Sequence, residues 1–145
     1  MDVDRVSGMV VDAAIKVHRT LGPGLLESVY ESVLEEELRR RLASVERQKS
    51  VPLRYEGRVL EDAFRVDLLV DGQVVVEVKA IEQLAPVHYR QVLTYLKLLD
   101  LRVGLLLNFG AATMREGLHR IVNGYAPPAP SASLREKPIR SPVNP

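Results

Sequence analysis

The stretch VVVEVKA, residues 74–80, starts as a core strand, and then Glu77 and Lys79 arrive two residues apart. Side chains alternate along a strand, so Val74, Val76 and Val78 share one face while Val75, Glu77 and Lys79 share the other. The all-valine face belongs to a core. A buried carboxylate or ammonium without a partner costs several kcal/mol, so Glu77 and Lys79 either pair with other charges or line a polar cleft.

The preceding segment, FRVDLLV, carries Asp67 in an equally apolar setting. Asp71-Gly72 marks the turn between the two strands. A two-residue loop pairs Val70 with Gln73 and points Asp67 away from Glu77. A three-residue loop, or one bulge, sets Asp67 beside Glu77 with Cβ atoms about 5 Å apart. Two carboxylates that close repel unless a cation lies between them. Hard oxygen ligands of this kind hold Mg²⁺, which polarises a phosphoryl oxygen and acidifies a bound water, and a neighbouring lysine supports the developing charge. The residues alone leave a second reading open, a salt bridge on the strand face between Lys79 and Asp67 or Glu77.

Outward from this strand the pattern is mixed α/β. Val6, Met9, Val10, Ala13, Val17 and Leu21 recur at helical spacing and stop at Gly22-Pro23-Gly24. A second helix is expected from about Leu25 to Leu42, then strands at Val51–Tyr55, Val59–Val70 (with a bulge near Glu61-Asp62) and Val74–Ala80. Pro86 opens a helix that runs to about residue 99. Val103–Phe109 reads as a strand buried on both faces. Residues 113–123 fit a short helix or an edge strand. Residues 1–124 are expected to form one domain, and residues 125–145 a disordered tail that holds six of the nine prolines.

The 145 residues include no cysteine, which excludes disulfides and cysteine-bound zinc and fits a cytoplasmic protein. No apolar run approaches the ~20 residues of a membrane span, so no membrane partner is expected. A net charge of +1 requires any nucleic-acid footprint to be local. Arg39, Arg40, Arg41, Arg47 and Lys49 read as a solvated, salt-bridged face, and if the protein binds nucleic acid they are the first candidates for phosphate contacts.

Two further segments join the charged strand. GPGLLESVYE spaces Gly24, Glu27 and Tyr30 as G-x-x-E-x-x-Y, and HYRQVLTYLK spaces Gln91 and Tyr95 as Q-x-x-x-Y. With Asp67, Glu77 and Lys79 they resemble the GxxExxY family of the PD-(D/E)XK nuclease-like superfamily, over roughly residues 5–123. The resemblance implies a restriction-endonuclease-like core of order α-β-β-β-α-β, a mixed sheet flanked by helices. It implies a Mg²⁺-dependent nuclease, with Mn²⁺ as a substitute, or a non-catalytic nucleic-acid- or protein-binding module using the same cleft. Asp67 and Glu77 would hold the metal with help from Glu27, Lys79 would act on the nucleophile, and Gln91 would position Lys79 or substrate. Val66 stands where the motif's name has proline. Tyr30 is expected in the core or against the Glu27 carboxylate. Tyr95 and His88 share a helix face with Gln91, and His88 is expected to reach phosphate or to act as scaffold. His18 is expected to hydrogen-bond the Gly22-Pro23-Gly24 turn. The small domain leaves room for a homodimer or a protein partner.

Overall fold

The computed structural model describes residues 1–124, and the proposed tail lies outside them. Two helices open the chain, α1 (Val3–Leu21) and α2 (Glu27–Arg40). Three strands follow, β1 (Val45–Tyr55), β2 (Arg58–Val70) and β3 (Val74–Lys79). Then come α3 (Pro86–Leu99), β4 (Val103–Asn108), the single turn α4 (Met114–Gly117) and β5 (Leu118–Val122). Residues 113–123, open between helix and strand, hold one of each.

The five strands form one sheet in chain order. Every neighbouring pair is antiparallel except β3 and β4, whose α3 crossover makes them parallel. Helices α1 and α2 pack on one face through Val6, Val10, Tyr30 and Leu34, against Val74, Val76 and Val78. Helix α3 covers the other face through Val92, Tyr95 and Leu96, against Val75 and Leu106. This is a mixed α/β architecture with a restriction-endonuclease-like order of elements.

Two local features of the sheet set the geometry around Asp67 and Glu77. The turn after β2 puts Asp71 and Gly72 at φ 52° and 64°, and Gln73 donates to the Val70 carbonyl at 2.9 Å. Gln73 then bulges out, so Val70 pairs with Val74 and the loop is odd. The register therefore runs on toward Asp67 opposite Glu77, the arrangement that admits a shared site. The second feature is a change of face. Val45, Leu68 and Val70 point to α1 and α2, whereas Val51 and Val66 point to α3. In a regular strand, residues an even number apart share a face. Strands β1 and β2 thus both turn over between these positions, at Gln48 and Asp67. Gln48 takes φ 54° in mid-strand, which supplies the twist. A separate register shift, where Val51 pairs with Phe64 and Leu53 with Leu60, falls at Pro52 and at the Glu61–Ala63 segment where the bulge is expected.

Candidate active site

The ladder between β2 and β3 ends at Leu68 and Val76. Beyond it each strand's next free amide is taken by a carboxylate of the other. The Asp67 N–H donates to Glu77 Oε2 at 2.8 Å, and the Val78 N–H donates to Asp67 Oδ2 at 2.8 Å. The sheet splays here, and the reciprocal side-chain bonds satisfy backbone groups that a buried strand cannot leave open. Glu77 is only 3% exposed.

Such a pair is electrostatically uncomfortable. Burial first, and then the negative charges of Glu31 and Glu27, raise the Asp67 carboxyl to about 6, against the Val78 amide and Lys79, which favour its ionised form. Burial and the Asp67 charge raise Glu77 to about 8, while the Asp67 amide and Lys79 oppose the rise. Lys79, half-buried on the same strand, is the cation that acts on both carboxylates.

Helix α2 brings Glu31 as well as Glu27. Glu27 opens the helix, partly exposed, and its charge bears on Asp67. Glu31, one turn later, is buried at 5% exposure. Its Oε2 accepts from Arg47 Nε at 2.8 Å and from Gln48 Nε2 at 2.7 Å, and the same Gln48 nitrogen donates to Asp67 Oδ1 at 3.3 Å. Of the two helix acids, Glu31 exerts the larger repulsion on Asp67.

Tyr30 does not buttress the Glu27 carboxylate. Its hydroxyl donates to the Gly22 carbonyl and accepts from the Leu25 N–H at 3.1 Å, while its ring stacks on Phe109 at 4.6 Å. It therefore pins the loop that leads into Glu27. Gly24 sits there at φ 111°, a conformation nearly closed to other residues. The His18 ring does not bond that turn either. It donates through Nε2 to the Ala111 carbonyl at 2.9 Å, and only its backbone carbonyl receives the Gly22 amide, at 2.7 Å. His88 caps α3, its Nδ1 accepting from the Ala85 N–H at 2.9 Å.

Tyr95 reaches the carboxylates from α3. Its hydroxyl is pushed up to about 12, first by burial and then by the Glu77 and Asp67 charges, with the neighbouring Gln91 opposing the rise. It remains a protonated donor near two acids. Gln91 lies one helical turn before Tyr95 on α3.

The basic stretch is committed elsewhere. Arg39, Arg40 and Arg41 pair with Glu35, Glu36 and Glu37 one turn earlier, Arg47 with Glu31 and Glu35, and Lys49 with Glu46. The salt-bridged face is the one the structure holds.

Three residues of the site region carry no motif. Glu31 and Gln48 are two. The third is Asn108, buried at the end of β4. Its Oδ1 accepts from the Ile81 and Gly110 amides, each at 3.0 Å, and its Nδ2 donates to the Ile81 carbonyl at 2.9 Å. It clamps the chain two residues after Lys79. The one signal in the sequence was an amide closing the apolar run VGLLLN.

A family model described as the PD-(D/E)XK nuclease superfamily matches residues 4–121. The chain belongs to that superfamily. Asp67 and the Glu77-Val78-Lys79 string match the D and (D/E)XK letters of that name, with Val66 in the place of its proline. No curated protein and no solved structure gives a significant match to the chain.

PD-(D/E)XK nucleases use divalent metals, and the donors here suit a hard cation. All are carboxylate oxygens, and half-buried Asp67 lies beside buried Glu77 in a site that a positive charge would relieve. Among the described residues, no three acidic or histidine side chains converge into a finished cage. That is compatible with Mg²⁺, which takes one or two carboxylates and completes its shell with water and phosphate. No helix of the described residues is long and apolar enough to cross a membrane.

Proposed function

We propose that the protein is a divalent-cation-dependent nuclease that hydrolyses phosphodiester bonds of DNA or RNA. The observation that carries this is the splayed β2–β3 ladder, where half-buried Asp67 and buried Glu77 face each other with raised carboxyls, and Lys79 lies on the strand of Glu77. Asp67 and Glu77 hold the ion, and Glu31 or Glu27 steadies it or its waters from α2. Mg²⁺, with Mn²⁺ as a substitute, supplies charge at the phosphoryl oxygen and acidifies water. Lys79 orients the attacking water or balances charge on the phosphate. Tyr95, held protonated, donates toward the carboxylates or the substrate and is steadied by Gln91. Membership of the GxxExxY branch rests on Gly24, Glu27 and Tyr30, and the cytoplasm is the proposed compartment.

The competing reading is a non-catalytic binding module. It is favoured by the fact that both carboxylates already satisfy backbone amides, a geometry that serves the fold unaided. One panel separates the two. Single- and double-stranded DNA and RNA are incubated with protein in Mg²⁺, Mn²⁺ or chelator, beside Lys79→Ala. Metal-dependent cleavage lost in the variant supports the nuclease; no cleavage anywhere, or equal cleavage by the variant, rejects it.

A further inference from the structure

Gln48 lies on β1, outside every motif, and combines two unusual properties. Its backbone sits at φ 54° in the middle of a strand, where a non-glycine residue is strained by about 1 kcal/mol or more. Its side-chain nitrogen reaches both Glu31 at 2.7 Å and Asp67 at 3.3 Å. The first property explains the second. At Gln48 and Asp67 the two strands change face, so the left-handed turn aims the amide at the junction between α2 and the splayed ladder instead of along the strand.

We propose that Gln48 is a positioning residue that ties the Glu31 carboxylate of α2 to Asp67 of the sheet and so sets the spacing at which they meet a cation. This rests on the nuclease reading of the site. An NH₂ group suits the task because it donates one hydrogen to each of two acceptors. Arg47 holds Glu31 from the same strand but does not reach Asp67. Gln48 alone of the two bridges helix and sheet. Removing a residue that orients ligands typically weakens metal affinity 10- to 100-fold.

The test uses the full chain with Gln48→Gly and Gln48→Glu. Glycine accepts φ 54° without strain, which offsets part of the hydrogen bonds lost to Glu31 and Asp67, so Gln48→Gly should melt within a few degrees of wild type while losing the tie. Its half-saturating Mn²⁺ concentration for cleavage should rise about tenfold, with kcat at saturating Mn²⁺ within about threefold. Gln48→Glu, which replaces the donor with a third carboxylate, should be worse. An unchanged Mn²⁺ dependence in Gln48→Gly, or a loss that merely follows a lowered Tm, overturns the proposal. If wild type neither cleaves nor takes up Mn²⁺, the nuclease reading falls, and the tie is judged by NMR instead. The Gln48 side-chain NH₂ signals should be shifted and slow to exchange in wild type, and should move in Asp67→Asn. Random-coil signals indifferent to Asp67 overturn it.

Discussion

Glu77→Gln should make the metal-free protein more stable at pH 8, although it removes a residue proposed to be essential. Gln keeps the shape and an oxygen for the Asp67 amide, now bound at 2.8 Å, and discards the charge. Glu77 is raised from 4.5 to about 8. At about 1.4 kcal/mol per pH unit, keeping it ionised costs the wild-type fold on the order of 4 kcal/mol at and above pH 8. Burial is the first cause of that rise and the part due to charge is shared with Asp67, so about 2 kcal/mol is the expected gain, or roughly 5–8 °C in Tm for a domain of this size. A carboxyl raised in the folded state leaves stability intact below its unfolded value and erodes it as pH climbs through the folded one. The two proteins should therefore melt together near pH 4 in chelator and separate progressively up to pH 8. Adding Mg²⁺ should raise wild type and not the variant. Thermal melts across this range decide it. A Glu77→Gln protein equally destabilised at pH 4 and pH 8 would refute the claim that the fold is strained by the buried Glu77 charge.

Tyr30→Phe should lose about 1–2 kcal/mol of stability, because the Leu25 amide and Gly22 carbonyl lose their partner; chemical denaturation measures it, and no loss would mean that water replaces the hydroxyl. Asn108→Ala should cost about 2–4 kcal/mol, since three backbone groups at Ile81 and Gly110 are left open, and faster amide exchange at Ile81 would locate the damage. Gly110→Ala should be at least as harmful, because its Cβ would lie 2.2 Å from the Ile81 carbonyl oxygen; a normally folded variant would contradict the packing of this loop.

Legibility in the sequence followed the range of the forces involved. Helix α3 is announced locally by Pro86 and its apolar period, and it spans Pro86–Leu99. Strand β1 begins at Val45, six residues before the expected Val51, because VERQKS has little apolar alternation and is held by pairing to Leu68, Leu69 and Val70. Asp67, Glu77 and Lys79 were readable because charge in an apolar strand is conspicuous in one dimension, and turn parity could be posed as a question though not answered. Glu31 looked like any helix acid. Its burial depends on Arg47 and Gln48, 16 and 17 residues away, contacts with no local trace. The arginine run was legible for the complementary reason, since its counter-charges lie one helical turn back, within local range.

Calorimetric titration of Mn²⁺ into the chelator-treated full chain at pH 7.5, wild type beside Asp67→Asn, bears most directly on the cation site. Saturable binding of at least one ion by wild type, abolished or weakened at least tenfold in a folded Asp67→Asn protein, is the predicted result. Identical binding by the two proteins, or none by wild type, would contradict the assignment of Asp67 and Glu77 as a metal site.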